Sequence, residues 1–110
     1  MGIAAATIAD LWAHAAELSA RAATEGDPAP ARRALVTLAI AGTGGDRPGY
    51  EAAAHDVLRA IARIGLDPLP LFDAASALSD DVTAREVLVT LPRRATAEIR
   101  SELMGRLDRG

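Results

Sequence analysis

Two carboxylate–histidine pairs, Asp10–His14 and Glu51–His55, are the side chains of this sequence best suited to chemistry. Each pair spans four residues, which sets its members one turn apart on the same helix face. Two such helices side by side would offer two His and two carboxylates, a set able to hold zinc or iron inside a bundle. The apolar pattern argues against that arrangement. At about 100° per residue, Asp10 and Glu17 fall nearly opposite the apolar stripe of their segment, and His14 lies on its flank. His55 also sits well off the centre of its own stripe. Bundle ligands must project inward, so these residues are expected at the surface, with no metal and no cofactor. A nucleophile is missing too. The chain has no Cys, and Ser19, Ser76, Ser79 and Ser101 lie in no nucleophile-elbow pattern. An enzyme is not expected.

The segment Gly42-Thr43-Gly44-Gly45-Asp46-Arg47-Pro48-Gly49 is the second candidate. It precedes a helical segment, as a phosphate-cradling loop does. It lacks the Gly-Lys-Ser/Thr ending of a P-loop, and Arg47 stands where GxGxxG needs its third glycine. A flexible Gly/Pro connection between helices is the simpler reading. The competing reading takes residues 35–50 as a strand, loop and helix that bind a nucleotide or flavin.

Arginines come in small groups: Arg32-Arg33, Arg59 with Arg63, and Arg93-Arg94. Arg59 and Arg63 share one helix face and could grip a carboxylate or phosphate through paired N–H groups. Interleaved acids and a net charge of −3 leave no basic track, so nucleic acid is not an expected partner. Trp12, at the edge of the first apolar stripe, is the residue best placed to anchor another chain, since tryptophan is enriched at interface hot spots. Trp12, Arg59 and Arg63 are therefore the partner-binding candidates, for another protein or for a second copy of this chain.

The elements that must position these residues are helical. About a quarter of the 110 residues are alanine, and aromatics are 3 %: Trp12, Tyr50 and Phe72. Alanine loses no rotamer freedom in a helix, so composition favours helix before periodicity is considered. Lys, Cys, Asn and Gln are absent. Without apolar runs of about eighteen residues no segment is expected to span a membrane, and no signal peptide is recognisable, so a cytoplasmic protein is expected.

Proline and glycine divide the chain into helical lengths. The first runs from about Ile3 to Thr24, with Ile8, Leu11, Ala15, Leu18 and Ala22 on one face. Its alanines Ala13, Ala16, Ala20 and Ala23 would allow a second helix to approach closely. Asp27 caps a second helix, Pro28 to Ala41, carrying Leu35, Val36, Leu38 and Ile40. A third spans Tyr50 to Ile64 and a brief fourth Leu69 to Leu78. Ser79-Asp80-Asp81 caps a fifth, Val82 to Leu91, with Asp81 and Arg85 as an i,i+4 pair. Pro92 closes it, with Arg93-Arg94 beyond its end. The last runs from Thr96 to Arg109, with Ile99, Leu103 and Leu107 as a stripe and Glu102–Arg106 as a pair. Residues 35–40 and 87–91, rich in β-branched side chains, could instead be buried strands, although two strands make a poor sheet. The expected fold is all-α: a compact bundle of five or six short helices forming one domain over residues 1–110, acting as a small adaptor or self-associating subunit.

Overall fold

The computed structural model describes residues 5–108, without the side chains at 5, 6, 102, 103, 106 and 107. Five helices follow one another: α1 (Ala5–Glu25), α2 (Pro28–Ala41), α3 (Arg47–Arg63), α4 (Pro68–Ser76) and α5 (Val82–Asp108). The fold is an all-α bundle, with no strand among the described residues. The expected start at Ile3, the end at Arg109, the Glu102–Arg106 pair and the Leu103–Leu107 part of the last stripe lie outside what is described.

One local device starts most of these helices. Asp27 accepts the amide of Ala29 at 3.0 Å, Asp46 that of Gly49 at 3.0 Å, and Asp67 that of Leu69 at 3.1 Å. Each has a proline in the first turn of the helix it caps. The Asp side chain satisfies an amide left without a helical partner, and proline has no amide there to satisfy. Asp81 caps α5 in the same way, accepting from Thr83 and Ala84 at 2.9 and 3.1 Å.

Helix α3 packs against each of the other four and buries Tyr50, Ala53, Ala54, Val57, Leu58, Ala60 and Ile61. Helix α1 lies on α2 and α3, whereas α5 lies on α4 and α3. Alanines fill much of the core, including Ala15, Ala22, Ala31, Ala34, Ala54 and Ala84, all fully buried. The large inner side chains are Tyr50 and Phe72 with Leu38, Leu58, Ile61 and Leu88. Small side chains let the helix axes come close, so the core is thin and well filled.

Two expectations are corrected, and the strand alternative falls. Residues 35–40 and 87–91 are helical, because Leu35, Leu38, Val87 and Leu88 are buried at helical spacing while Val36 and Ile40 face outward. Burial overrides the β preference of the branched side chains. Pro92 does not end its helix: α5 runs unbroken for 27 residues with Pro92 inside it and buried against the core. The expected fifth and sixth helices are one, and Arg93-Arg94 lie within it. Helix α3 begins at Arg47, so Arg47-Pro48-Gly49 form its first turn instead of loop.

Candidate functional site

Trp12 is half-buried on α1 and uses its polar end inside the molecule. Its indole N–H donates to the Gly42 carbonyl at 3.0 Å. Its ring meets the edge of Tyr50 with centroids 6.2 Å apart and planes at 62°, a favourable aromatic geometry. Tyr50 is fully buried, its hydroxyl donating to the Leu38 carbonyl at 3.3 Å. Burial raises the Tyr50 hydroxyl above its ordinary pKa, with the Asp81 charge adding to the effect. Gly49 fits closely beneath the indole, where an added Cβ would lie 2.8 Å from Trp12 Cζ3. Trp12 thus braces the connection between α2 and α3.

That connection is tied down at its other side as well. Asp81 Oδ2 accepts from the Thr43 amide at 2.9 Å and from the Thr43 hydroxyl at 2.8 Å, while its Oδ1 caps α5. These hydrogen bonds, the Thr43 amide first, hold the Asp81 carboxyl below its ordinary pKa. Gly42 and Thr43 are buried, and Gly42 takes a φ of 71° that permits the reversal out of α2. The glycine-rich segment, expected to be flexible, is therefore fastened at both flanks.

The phosphate-cradle reading loses its parts. Residues 35–40 are helix, so no strand feeds the loop, and the α/β nucleotide or flavin alternative is overturned. The first turn of α3, where an anion would sit, is capped by Asp46. Arg47 points instead to Glu51 at 3.1 Å and to Glu86 of α5 at 3.3 Å. Both raise its pKa, the Glu51 hydrogen bond most.

The two carboxylate–histidine pairs do not come together as one site. Glu51 is engaged by Arg47, and His14 lines a cleft that it shares with Arg21, Arg32 and Arg33, where a cation would be repelled. Among the described residues no group of three His, Cys, Asp or Glu comes together to hold a metal. The expected Asp81–Arg85 side-chain pair does not form, because Asp81 is occupied by Thr43 and its cap, while Arg85 donates to the Ser79 carbonyl at 2.7 Å.

Arg59 and Arg63 remain. Both are exposed on α3 and rim a cleft of about 490 Å³ between α1 and α3. Buried Ser19 and Ala60 form its floor, and Ala16, Ala20 and Ala23 of α1 its wall. Asp56 stands on the rim, yet neither arginine makes an ion pair among the described residues. The two candidates from one face of α3 are thus brought together, and Trp12 is not among the residues lining their cleft. What sequence reasoning missed is the Thr43–Asp81 tie, since its members are 38 residues apart. Only the Asp81 cap could be read locally.

No protein-family model, curated protein or solved structure matches this chain.

Proposed function

We propose that this protein is a non-catalytic cytoplasmic interaction module that receives a helix of a partner polypeptide along the outer face of α1. The observation that carries the reading is the α1–α3 cleft, with alanine walls and two arginines that no described carboxylate engages. Ala9, Ala13, Ala16, Ala20 and Ala23 recur at steps of four and three, within about 80° of arc at 100° per residue. All five are exposed or half-exposed. With only methyl groups in the way, a second helix can approach near the short end of the usual 8–10 Å axial range. Arg59 and Arg63, one turn apart, would then meet a carboxylate of that helix. Trp12 supports this face from beneath, holding the α2–α3 connection against α1.

A second copy of the chain can supply the helix, because α1 carries exposed Asp10 and Glu17 beside its alanine face. Light scattering coupled to size-exclusion chromatography tests that arm. The reading expects a dimer at high protein concentration that Ala20→Arg converts to monomer with its helical circular dichroism intact. Were the parent strictly monomeric, the partner must be another protein, recovered from the native host by the parent and lost with Ala20→Arg. A monomer whose recovered proteins are the same with and without Ala20→Arg overturns the proposal.

A further inference from the structure

The opposite flank of α1 carries a different chemistry. A cleft of about 420 Å³ between α1 and α2 is lined by His14, Leu18, Arg21, Arg32, Arg33, Val36 and Thr37. Three arginines and a histidine thus border one cleft, with no carboxylate in the lining. Exposed Asp10 lies one turn from His14, and exposed Glu17 and Glu25 each lie one turn from Arg21, yet Arg21, Arg32 and Arg33 make no ion pair among the described residues. In a chain of net charge −3 this is a local reversal of sign. Other arginines are engaged within the fold: Arg47 by two glutamates, Arg93 by Asp73 and Arg85 by a carbonyl.

We propose that this cleft binds a phosphomonoester. Several adjacent cations repel one another, and an anion of more than one charge lying between them offsets that repulsion most fully. A phosphoryl group offers about two negative charges and three acceptor oxygens. It matches the planar N–H fork of arginine, and guanidinium groups from two helices can hold it from two sides. A lone carboxylate would leave most of the positive charge uncompensated. The apolar lining tells the rest: buried Leu18 and Val36, which is 40 % exposed, offer a surface that bare phosphate cannot use. The organic part of the ester lies there. Thr37 contributes no free donor, since its hydroxyl donates to the Arg33 carbonyl at 2.8 Å. The site is distinct from the docking face of α1 and does not depend on it.

Phenyl phosphate is the probe, titrated by calorimetry and by amide chemical shifts at fixed ionic strength. Saturable binding is expected, with shifts confined to α1 and α2, at least about tenfold tighter than benzoate and tighter than inorganic phosphate. Arg32→Gln/Arg33→Gln should weaken it by about tenfold or more, because each lost charge-assisted contact removes a sizeable part of the affinity. Arg59→Gln/Arg63→Gln on the other cleft should leave it unchanged. All four side chains are exposed, so both variants should keep the parent's helical signal, and Arg21→Gln gives an independent check from α1. A phosphoserine peptide separates the sources of the ligand: tighter binding than phenyl phosphate indicates a phosphorylated protein, weaker binding a free metabolite. Benzoate binding as tightly as phenyl phosphate, or Arg32→Gln/Arg33→Gln binding like the parent, would overturn the site.

Discussion

Asp81 does two jobs with one carboxylate, and removing it should cost more than a helix cap. Oδ1 accepts from the amides of Thr83 and Ala84, and Oδ2 from the amide and the hydroxyl of Thr43. Loss of a cap costs about 1 kcal/mol. Thr43 is 5 % exposed, so freeing its amide and hydroxyl strands donors away from water, at about 1–3 kcal/mol for each group left unsatisfied. Partial relaxation of the connection recovers some of this. Asp81→Ala should therefore lose about 3 kcal/mol. Asp81→Ser retains a capping oxygen but cannot reach Thr43, so it should lose about 2 kcal/mol, the difference being the cap. Urea unfolding followed by circular dichroism measures both, and Thr43→Val completes a double-mutant cycle. A coupling of about 1 kcal/mol is expected, because the cycle removes the hydroxyl and spares the amide. Trp12 emission offers a local readout, since its indole donates to the adjacent Gly42 carbonyl. Two results would refute the reasoning: Asp81→Ser matching the parent within about 0.5 kcal/mol, or Thr43→Val costing the same in both backgrounds.

Acid should erode this contribution in a defined direction. The Asp81 carboxyl is lowered from its ordinary 3.8 in the folded chain, so its stabilisation is full above that value and is lost as pH falls through the lower folded value. The stability gap between the parent and Asp81→Ser, measured by urea unfolding, should narrow between neutral pH and pH of about 3, and a constant gap would contradict the assignment. Pro92→Ala should stabilise the protein. Proline in a helix interior costs about 3 kcal/mol relative to alanine, whereas removing two buried ring carbons forfeits about 1.6 kcal/mol. A net gain of about 1 kcal/mol should raise the midpoint of thermal unfolding by about 4–8 °C, and a lower midpoint would show that the Pro92 ring contributes more to packing than this.

The first four helices were legible because their signals are local. Asp27-Pro28 announces a helix start, and the apolar steps from Ile8 to Ala22 define a buried face; Asp67-Pro68 carries the same signal, although the helix is expected only from Leu69. Asp46-Arg47-Pro48 carries that signal too and marks the start of α3, but within a glycine-rich segment it reads as loop. Other features depend on contacts no window contains. Pro92 stays helical because α4 and α3 cover that part of α5; Arg93, the next residue, reaches Asp73 of α4 at 3.4 Å. Ile40 matches Leu38 in hydropathy but is 63 % exposed, because two residues of helix turn it to the opposite side. The Thr43–Asp81 tie needs the α2–α3 connection beside the start of α5, and the gathering of Arg21 with Arg32-Arg33 needs the α1–α2 geometry, both of which follow only from packing.

The arginines illustrate what packing adds to a site. As a sequence, only Arg59 with Arg63 stands out among the small arginine groups, because the two share one helix face, and Arg32-Arg33 carries no such signal. In the fold, Arg47 joins α3 to α5 and Arg93 joins α5 to α4. Those on either side of α1 join nothing among the described residues, and each set borders a cleft. Exposed ion pairs stabilise little, so leaving these arginines unpaired costs the fold little. Their charge is then available to something outside the chain. Alanine walls suit one side to another helix, whereas Leu18, Val36 and a lining free of carboxylates suit the other to an organic anion. Function in this bundle is therefore best sought around α1.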